Sequence, residues 1–142
     1  MQAVITPTLN IADTTQAIQL ALGPVFLLTA IAGLLNVMTG RLARIIDRGR
    51  DLASESGEAA QQELATLERR RHIASSAITA CVLAALLVCM VIAALFLEVW
   101  ISVPLKWLVG LFFFAATGAL VVGLGYFLRE VRMATETVRI GG

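Results

Sequence analysis

Three stretches, 14–40, 73–97 and 107–128, contain no Asp, Glu, Lys or Arg, and the charged residues collect in the connectors and ends around them. A helix needs about 20 predominantly apolar residues to cross a hydrocarbon core about 30 Å thick. Each stretch is long enough, so the pattern predicts an all-α integral membrane protein with three transmembrane helices. The connector between the first two carries a periodicity of its own. Leu42, Ile45, Gly49 and Leu52 recur at spacings of three and four, and Ala60, Leu64 and Leu67 do the same after the turn-like cluster Ser54-Glu55-Ser56-Gly57. These are the seams of two antiparallel helices. Folding about residue 56 sets Leu52 opposite Ala60 and Ile45 opposite Leu67, and it brings Arg44 near Glu68 and Arg48 near Glu63. Apolar and ionic pairings agree on one register. The connector is thus expected to be a coiled-coil-like helical hairpin that continues spans one and two for about 20 Å.

The chain divides, as a single membrane domain, into span one (14–40), the hairpin (41–72), span two (73–98), a turn (99–106), span three (107–128) and a tail (129–142). Thr6-Pro7-Thr8 breaks any helix in the N-terminal arm. Asp13 at the N-cap with Gln16 three residues later reads as a capping box at the start of span one. Pro24 lies inside that span and is expected to bend it. Trp100 and Trp107 bracket the turn around Pro104, and Tyr126 sits near the other face, as interfacial aromatics do. The tail is expected to extend span three as a short amphipathic helix with Val131 and Val138 on one face, ending at Gly141-Gly142.

Composition agrees: the chain is 58% hydrophobic over 142 residues, with a mean hydropathy of +0.85, too apolar for an ordinary soluble domain. The net charge of +1 hides a strong asymmetry. Arg41, Arg44, Arg48, Arg50, Arg69, Arg70 and Arg71 lie in the 41–72 connector and Arg129, Arg132 and Arg139 in the tail, whereas the opposite side has only Lys106. Cytoplasmic loops carry the excess of Lys and Arg. The expected orientation places the N-terminus outside, and the hairpin and C-terminus in the cytoplasm. Span one lacks a basic n-region and exceeds a typical signal-peptide core, so it reads as a retained span. Cys81 and Cys89 are eight residues apart on one helix, about 12 Å of rise, too far for a disulfide.

Small and polar residues mark where the helices meet. Ala77, Cys81, Ala85, Cys89 and Ala93 recur every fourth residue in span two, and Ala115, Ala119 and Gly123 do so in span three. Such spacing lets membrane helices approach closely, either within one bundle or between copies. Span one has a stripe of Gln19, Gly23, Phe26, Thr29, Gly33, Asn36 and Gly40. Asn36 lies five residues inside Arg41, and Ser76 lies five inside Arg71, so the two share a depth. A hydrogen bond from Asn36 to Ser76 or Ser75, worth about 0.6–2 kcal/mol in a membrane, is expected, with a pore-lining role for Gln19, Thr29 and Asn36 as the alternative. Arg41, Arg69, Arg70, Arg71, Arg129 and Arg132 form a collar suited to anionic headgroups, each worth about 1 kcal/mol there. His72 is the single histidine beside it. With no intramembrane acid and no Ser-His-Asp set, no catalytic, metal or cofactor site is expected, and no nucleic-acid partner.

Pro24-Val25-Phe26-Leu27-Leu28, Leu35-Asn36 and Arg41-Leu42-Ala43-Arg44-Ile45-Ile46-Asp47-Arg48, with Leu67-Glu68-Arg69-Arg70 and Phe127-Leu128-Arg129-Glu130-Val131, resemble a bacterial membrane-protein family labelled domain of unknown function 2721. The resemblance covers nearly the whole chain. It implies a three-helix protein of the bacterial inner membrane and supplies no activity. The topology is also similar to that of the proton-channel subunits of biopolymer transport and flagellar stators, although the insertion here is much shorter and no motif matches them. The expected function is that of a non-enzymatic, self-associating inner-membrane protein, a scaffold or accessory subunit of a larger assembly with membrane lipids as partners. The alternative is a homo-oligomeric ion-conducting pore lined by the span-one stripe.

Overall fold

The computed structural model describes residues 11–139, with side chains through Glu136. The Thr6-Pro7-Thr8 arm, Val138 as a side chain and the terminal glycines lie outside the described residues. Three α-helices follow one another: α1 (Ile11–Ala53), α2 (Glu58–Ile101) and α3 (Lys106–Arg139). All three are long and apolar enough to cross a membrane, and only 17%, 28% and 11% of their most apolar windows are buried within the chain. The apolar surface left over is what lipid or other protein would have to cover.

The α1–α2 pair forms because both helices keep a strict seven-residue repeat. Pro24, Ile31, Met38, Ile45 and Leu52 are buried along α1, and Ala60, Leu67, Ala74, Cys81, Val88 and Leu95 along α2. A repeat of seven holds the seam against its partner over the whole length of two helices, where a straight 3.6-residue pattern would drift away by about 20° per heptad. The 54–57 turn sets the register. Ser54 and Glu55 donate their N–H groups to the carbonyls of Asp51 and Leu52 at 3.2 and 3.0 Å, and Ser54 Oγ donates to the Asp51 carbonyl at 2.6 Å. Beyond it, Ile45, Leu52, Ala60, Leu67 and Ala74 form one apolar cluster flanked by Leu42 and Leu64. The pairing about residue 56 is present. Of its two ionic pairs, Arg48 Nε to Glu63 Oε1 forms at 3.1 Å, whereas Arg44 has no ion pair among the described residues.

Two expectations at the ends are corrected. α1 already includes Ile11, and Thr15 Oγ1 donates to the Ile11 carbonyl at 2.8 Å. A capping residue must lie outside the helix, so Asp13 is not the cap but a first-turn residue, well placed against the positive end of the helix dipole. The second turn is tighter than 99–106. α2 continues to Ile101, and Ser102 takes left-handed geometry (φ 57°, ψ 28°) while its N–H caps the Glu98 carbonyl at 3.0 Å. Pro104, two residues on, cannot continue a helix and directs the chain into α3. Pro24 lies buried within a continuous α1. Trp100 and Trp107 are exposed beside the turn.

α2 is the centre of the bundle, packing against both α1 and α3. The main core joins Ile31 and Met38 of α1, Ala77, Cys81, Ala84 and Val88 of α2, and Ala116 of α3. α3 approaches α2 closely at Gly123, where a Cβ would stand 2.8 Å from Cys81 Sγ and 3.3 Å from both the Ala77 carbonyl oxygen and the Ala80 Cβ. Only glycine fits there, whereas a Cβ at Gly125 would meet nothing within 4 Å. Gly123→Ala is therefore expected to cost about 1–3 kcal/mol by overpacking, and Gly125→Ala to be neutral or to gain up to about 1 kcal/mol from helix propensity. Thermal unfolding of both variants in detergent checks this; equal effects would mean that the close approach is absent.

Candidate functional site

The repeat that buries Ala116 and Gly123 on α3 reaches Glu130 seven residues later. Among the described residues, Glu130 is the only charged side chain that is buried, at 2% exposure. A carboxylate removed from water must be paired, and one arginine from each of the other helices does this. Arg41 Nη1 donates to Glu130 Oε2 at 2.9 Å, and Arg70 Nη2 donates to Oε1 at 3.0 Å. Each oxygen takes one charge-assisted bond. Phe127, one turn before Glu130, lies beneath the Arg41 guanidinium, 5.6 Å from carbon to ring centre, close enough for a cation–π contact.

The three residues come from three helices at one level. Arg41 follows the uncharged stretch of α1, Arg70 precedes that of α2, and Glu130 follows that of α3 by two residues. Around them opens a cleft of about 290 Å³ whose walls include Arg41, Arg44, Arg48 and Arg70, with Glu130 and the Ile45–Leu67 contact between them. Arg70 keeps a buried Nε with no hydrogen-bond partner. At the other end of the bundle a wider groove of about 880 Å³ separates α1 from α3, with Asp13, Glu98 and Lys106 at its rim and Leu20, Val91 and Phe113 among its walls. Among the described residues no group of three or more His, Cys, Asp or Glu side chains is placed to hold a metal ion.

The arrangement divides the arginine collar. Arg41 and Arg70 are turned into the clasp on Glu130, while Arg69, Arg71, Arg129 and Arg132 are exposed. The physical reason is proximity: a buried carboxylate competes for guanidinium donors more effectively than solvent does. Nothing in the three apolar stretches pointed to Glu130; the signal was its phase, seven residues beyond Gly123.

The Asn36 bond to span two is also corrected. Asn36 is exposed, and its amide makes no hydrogen bond among the described residues; Ser76 Oγ donates instead to the His72 carbonyl at 2.9 Å. Asn36 follows the inward-facing Leu35 by one residue, a rotation of about 100° that takes it off the seam. Ser75 is exposed too, its carbonyl accepting from Thr79 Oγ1 at 2.9 Å. Gln19, Gly23, Phe26, Thr29, Gly33 and Gly40 share the exposed side with Asn36, and Thr29 Oγ1 donates to its own helix at the Val25 carbonyl, 3.2 Å away.

Among the small residues, Ala77, Cys81 and Gly123 are buried in the α2–α3 contact, and Ala85 and Ala119 pack at its margin. Cys89, Ala93 and Ala115 are exposed. A spacing of four overtakes the helical period, so each stripe keeps to the contact over only part of its length: on α2 the later members rotate out and on α3 the first does, and Ala84, Val88, Val91 and Ala116 take their places.

Fold and site define a small all-α protein of three membrane-length helices, closed at one end by an ionic clasp. Residues 21–140 match the family described as protein of unknown function (DUF2721), and the chain belongs to it. No curated protein matches the chain, and no solved structure does.

Glu130→Gln keeps the shape but leaves two guanidiniums without their counter-charge. The expected loss in unfolding stability is about 1–3 kcal/mol, held down because Arg41 retains 40% of its side-chain exposure. Arg129→Gln, at the exposed neighbour, should stay within about 0.5 kcal/mol. Equal losses in a denaturant titration would remove the clasp from the account.

Proposed function

We propose that this is a non-enzymatic, self-associating multi-pass protein of the bacterial inner membrane, acting as a scaffold or accessory subunit of a larger assembly. The carrying observation is the unpartnered Asn36 amide on the exposed side of α1, within a stretch free of charge. In hydrocarbon such a group has no water to bond, so an amide facing lipid is unfavourable. A second copy answers that need most simply, because about a twofold axis Asn36 meets Asn36 and each amide both donates and accepts. Gly33 and Gly40, on the same side, let two backbones come close enough for this. The arginine distribution supports an orientation with the N-terminus outside and the 54–57 turn in the cytoplasm. In that orientation the exposed Arg69, Arg71, Arg129 and Arg132 rest against anionic headgroups, and the α1–α2 hairpin stands clear of the membrane as a rigid contact surface.

A purified-protein mass measurement in native-like lipid is expected to find dimers or higher species. Asn36→Leu should weaken that association roughly three- to thirty-fold, the equivalent of one interhelical amide contact, without lowering the stability of the single chain. A monomer, or association untouched by the variant, would sink the reading; a closed ring that conducts ions would replace it with a pore lined by Gln19, Thr29 and Asn36.

The orientation has its own check. With Cys81 and Cys89 replaced, a cysteine introduced by Ser56→Cys should resist a membrane-impermeant thiol reagent in intact cells and react after lysis. Ready labelling from outside would reverse the topology.

A further inference from the structure

We propose that the cleft beside Glu130 is a discrete phosphate-binding site, whose ligand is a phosphate-bearing anion held chiefly by Arg44 between Arg41 and Arg48. The inference goes beyond self-association and does not depend on it. Arg41, Arg44 and Arg48 follow one another at spacings of three and four, so their side chains share one side of α1. Like charges so placed repel, and the fold compensates only the outer two. Arg41 is engaged by Glu130 at 2.9 Å and Arg48 by Glu63 at 3.1 Å. Arg44, in the middle, has no ion pair among the described residues, and Glu68, which the hairpin register would offer it, does not come within salt-bridge distance.

Arg70 enters the same cleft from α2, already bound to Glu130 at 3.0 Å. Four guanidiniums line the cleft of about 290 Å³; Glu130 within it and Glu63 beside it pair three of them, which leaves an excess of two positive charges along its walls. The nearest negative group does not defeat an incoming anion. Glu130 is 2% exposed, and both its oxygens are taken up by arginines, so its charge is neutralised where it lies. The free donors of Arg44, with those of Arg41 and Arg48 not used on carboxylates, form forks suited to the paired oxygens of a phosphate. The cleft also sits where the three uncharged stretches end, the level of phospholipid phosphates if those stretches fill the hydrocarbon. A phosphodiester headgroup and a free phosphorylated solute share the same chemistry, and experiment separates them.

The full-length protein would be studied in nanodiscs of phosphatidylcholine with and without phosphatidylglycerol, the lipids retained by the single-chain species being counted by native mass spectrometry. In parallel, inorganic pyrophosphate would be titrated in detergent against the melting temperature. Arg44→Gln removes the central donor from an exposed position, and Arg71→Gln makes the same charge change outside the cleft. Loss of one charged partner should weaken binding about tenfold in Arg44→Gln and less than twofold in Arg71→Gln. Selective retention of phosphatidylglycerol with that difference identifies a lipid headgroup as the ligand. Pyrophosphate stabilisation with the same difference, and no lipid preference, identifies a soluble phosphate. Equal losses in the two variants would mean a diffuse basic surface, and binding of neither probe above the phosphatidylcholine background would mean no site; either overturns the proposal.

Discussion

A carboxylate at 2% exposure, where the chain leaves its apolar stretches, has to be neutralised by neighbours that arrive with the fold. Glu130 imposes that condition on all three helices. α2 packs directly on α1 and on α3, so the ionic contacts of Glu130 add the link that ties α1 to α3 where their apolar stretches end. The condition can be met only because α3 lies close to α2 seven residues earlier. Gly123 admits Cys81 and the Ala77 carbonyl where no Cβ fits, and this close contact carries Glu130 to the depth of Arg70. Removing the glycine's advantage would lift the carboxylate away from its partners before any charge was changed. Packing and electrostatics are here one constraint.

Much of this was legible in the residues. The uncharged stretches marked three helices, the Ser54–Gly57 cluster marked the turn, and pairing about residue 56 correctly joined Leu52 to Ala60 and Arg48 to Glu63. What escaped was the length of the seam. The repeat of seven runs on through Met38, Ile31 and Pro24 on α1, and through Cys81, Val88 and Leu95 on α2, but in an all-apolar stretch there is no polar contrast to display it. The small residues at every fourth position drew attention instead, and a period of four cannot stay on one side of a helix. Asn36 was expected on the seam, but it follows Leu35 by a rotation of about 100° that carries it to the exposed side. Glu130 was hidden in a tail that reads as soluble, although its phase with Ala116 and Gly123 was there to be counted.

The inward and outward surfaces divide the chemistry of the chain. Inside are an apolar seam, a tight glycine contact and one satisfied carboxylate. Outside are an amide and glycines on α1, apolar surfaces that the chain does not cover, and arginines in excess of the carboxylates beside them. The proposed function and the proposed phosphate site rest on those features: a second helix for the amide, lipid for the apolar surface, an anion for the arginines. A protein that acts by assembling with other components would present such a surface.

Glu130 ties α1 to α3 through Arg41. A double-mutant cycle of Arg41→Gln and Glu130→Gln, unfolded by denaturant in lipid nanodiscs, measures that link free of either residue's separate effects. A favourable coupling of about 1.5 kcal/mol or more, the size of a charge-assisted hydrogen bond, is expected. Additive losses, with coupling within about 0.5 kcal/mol of zero, would contradict it.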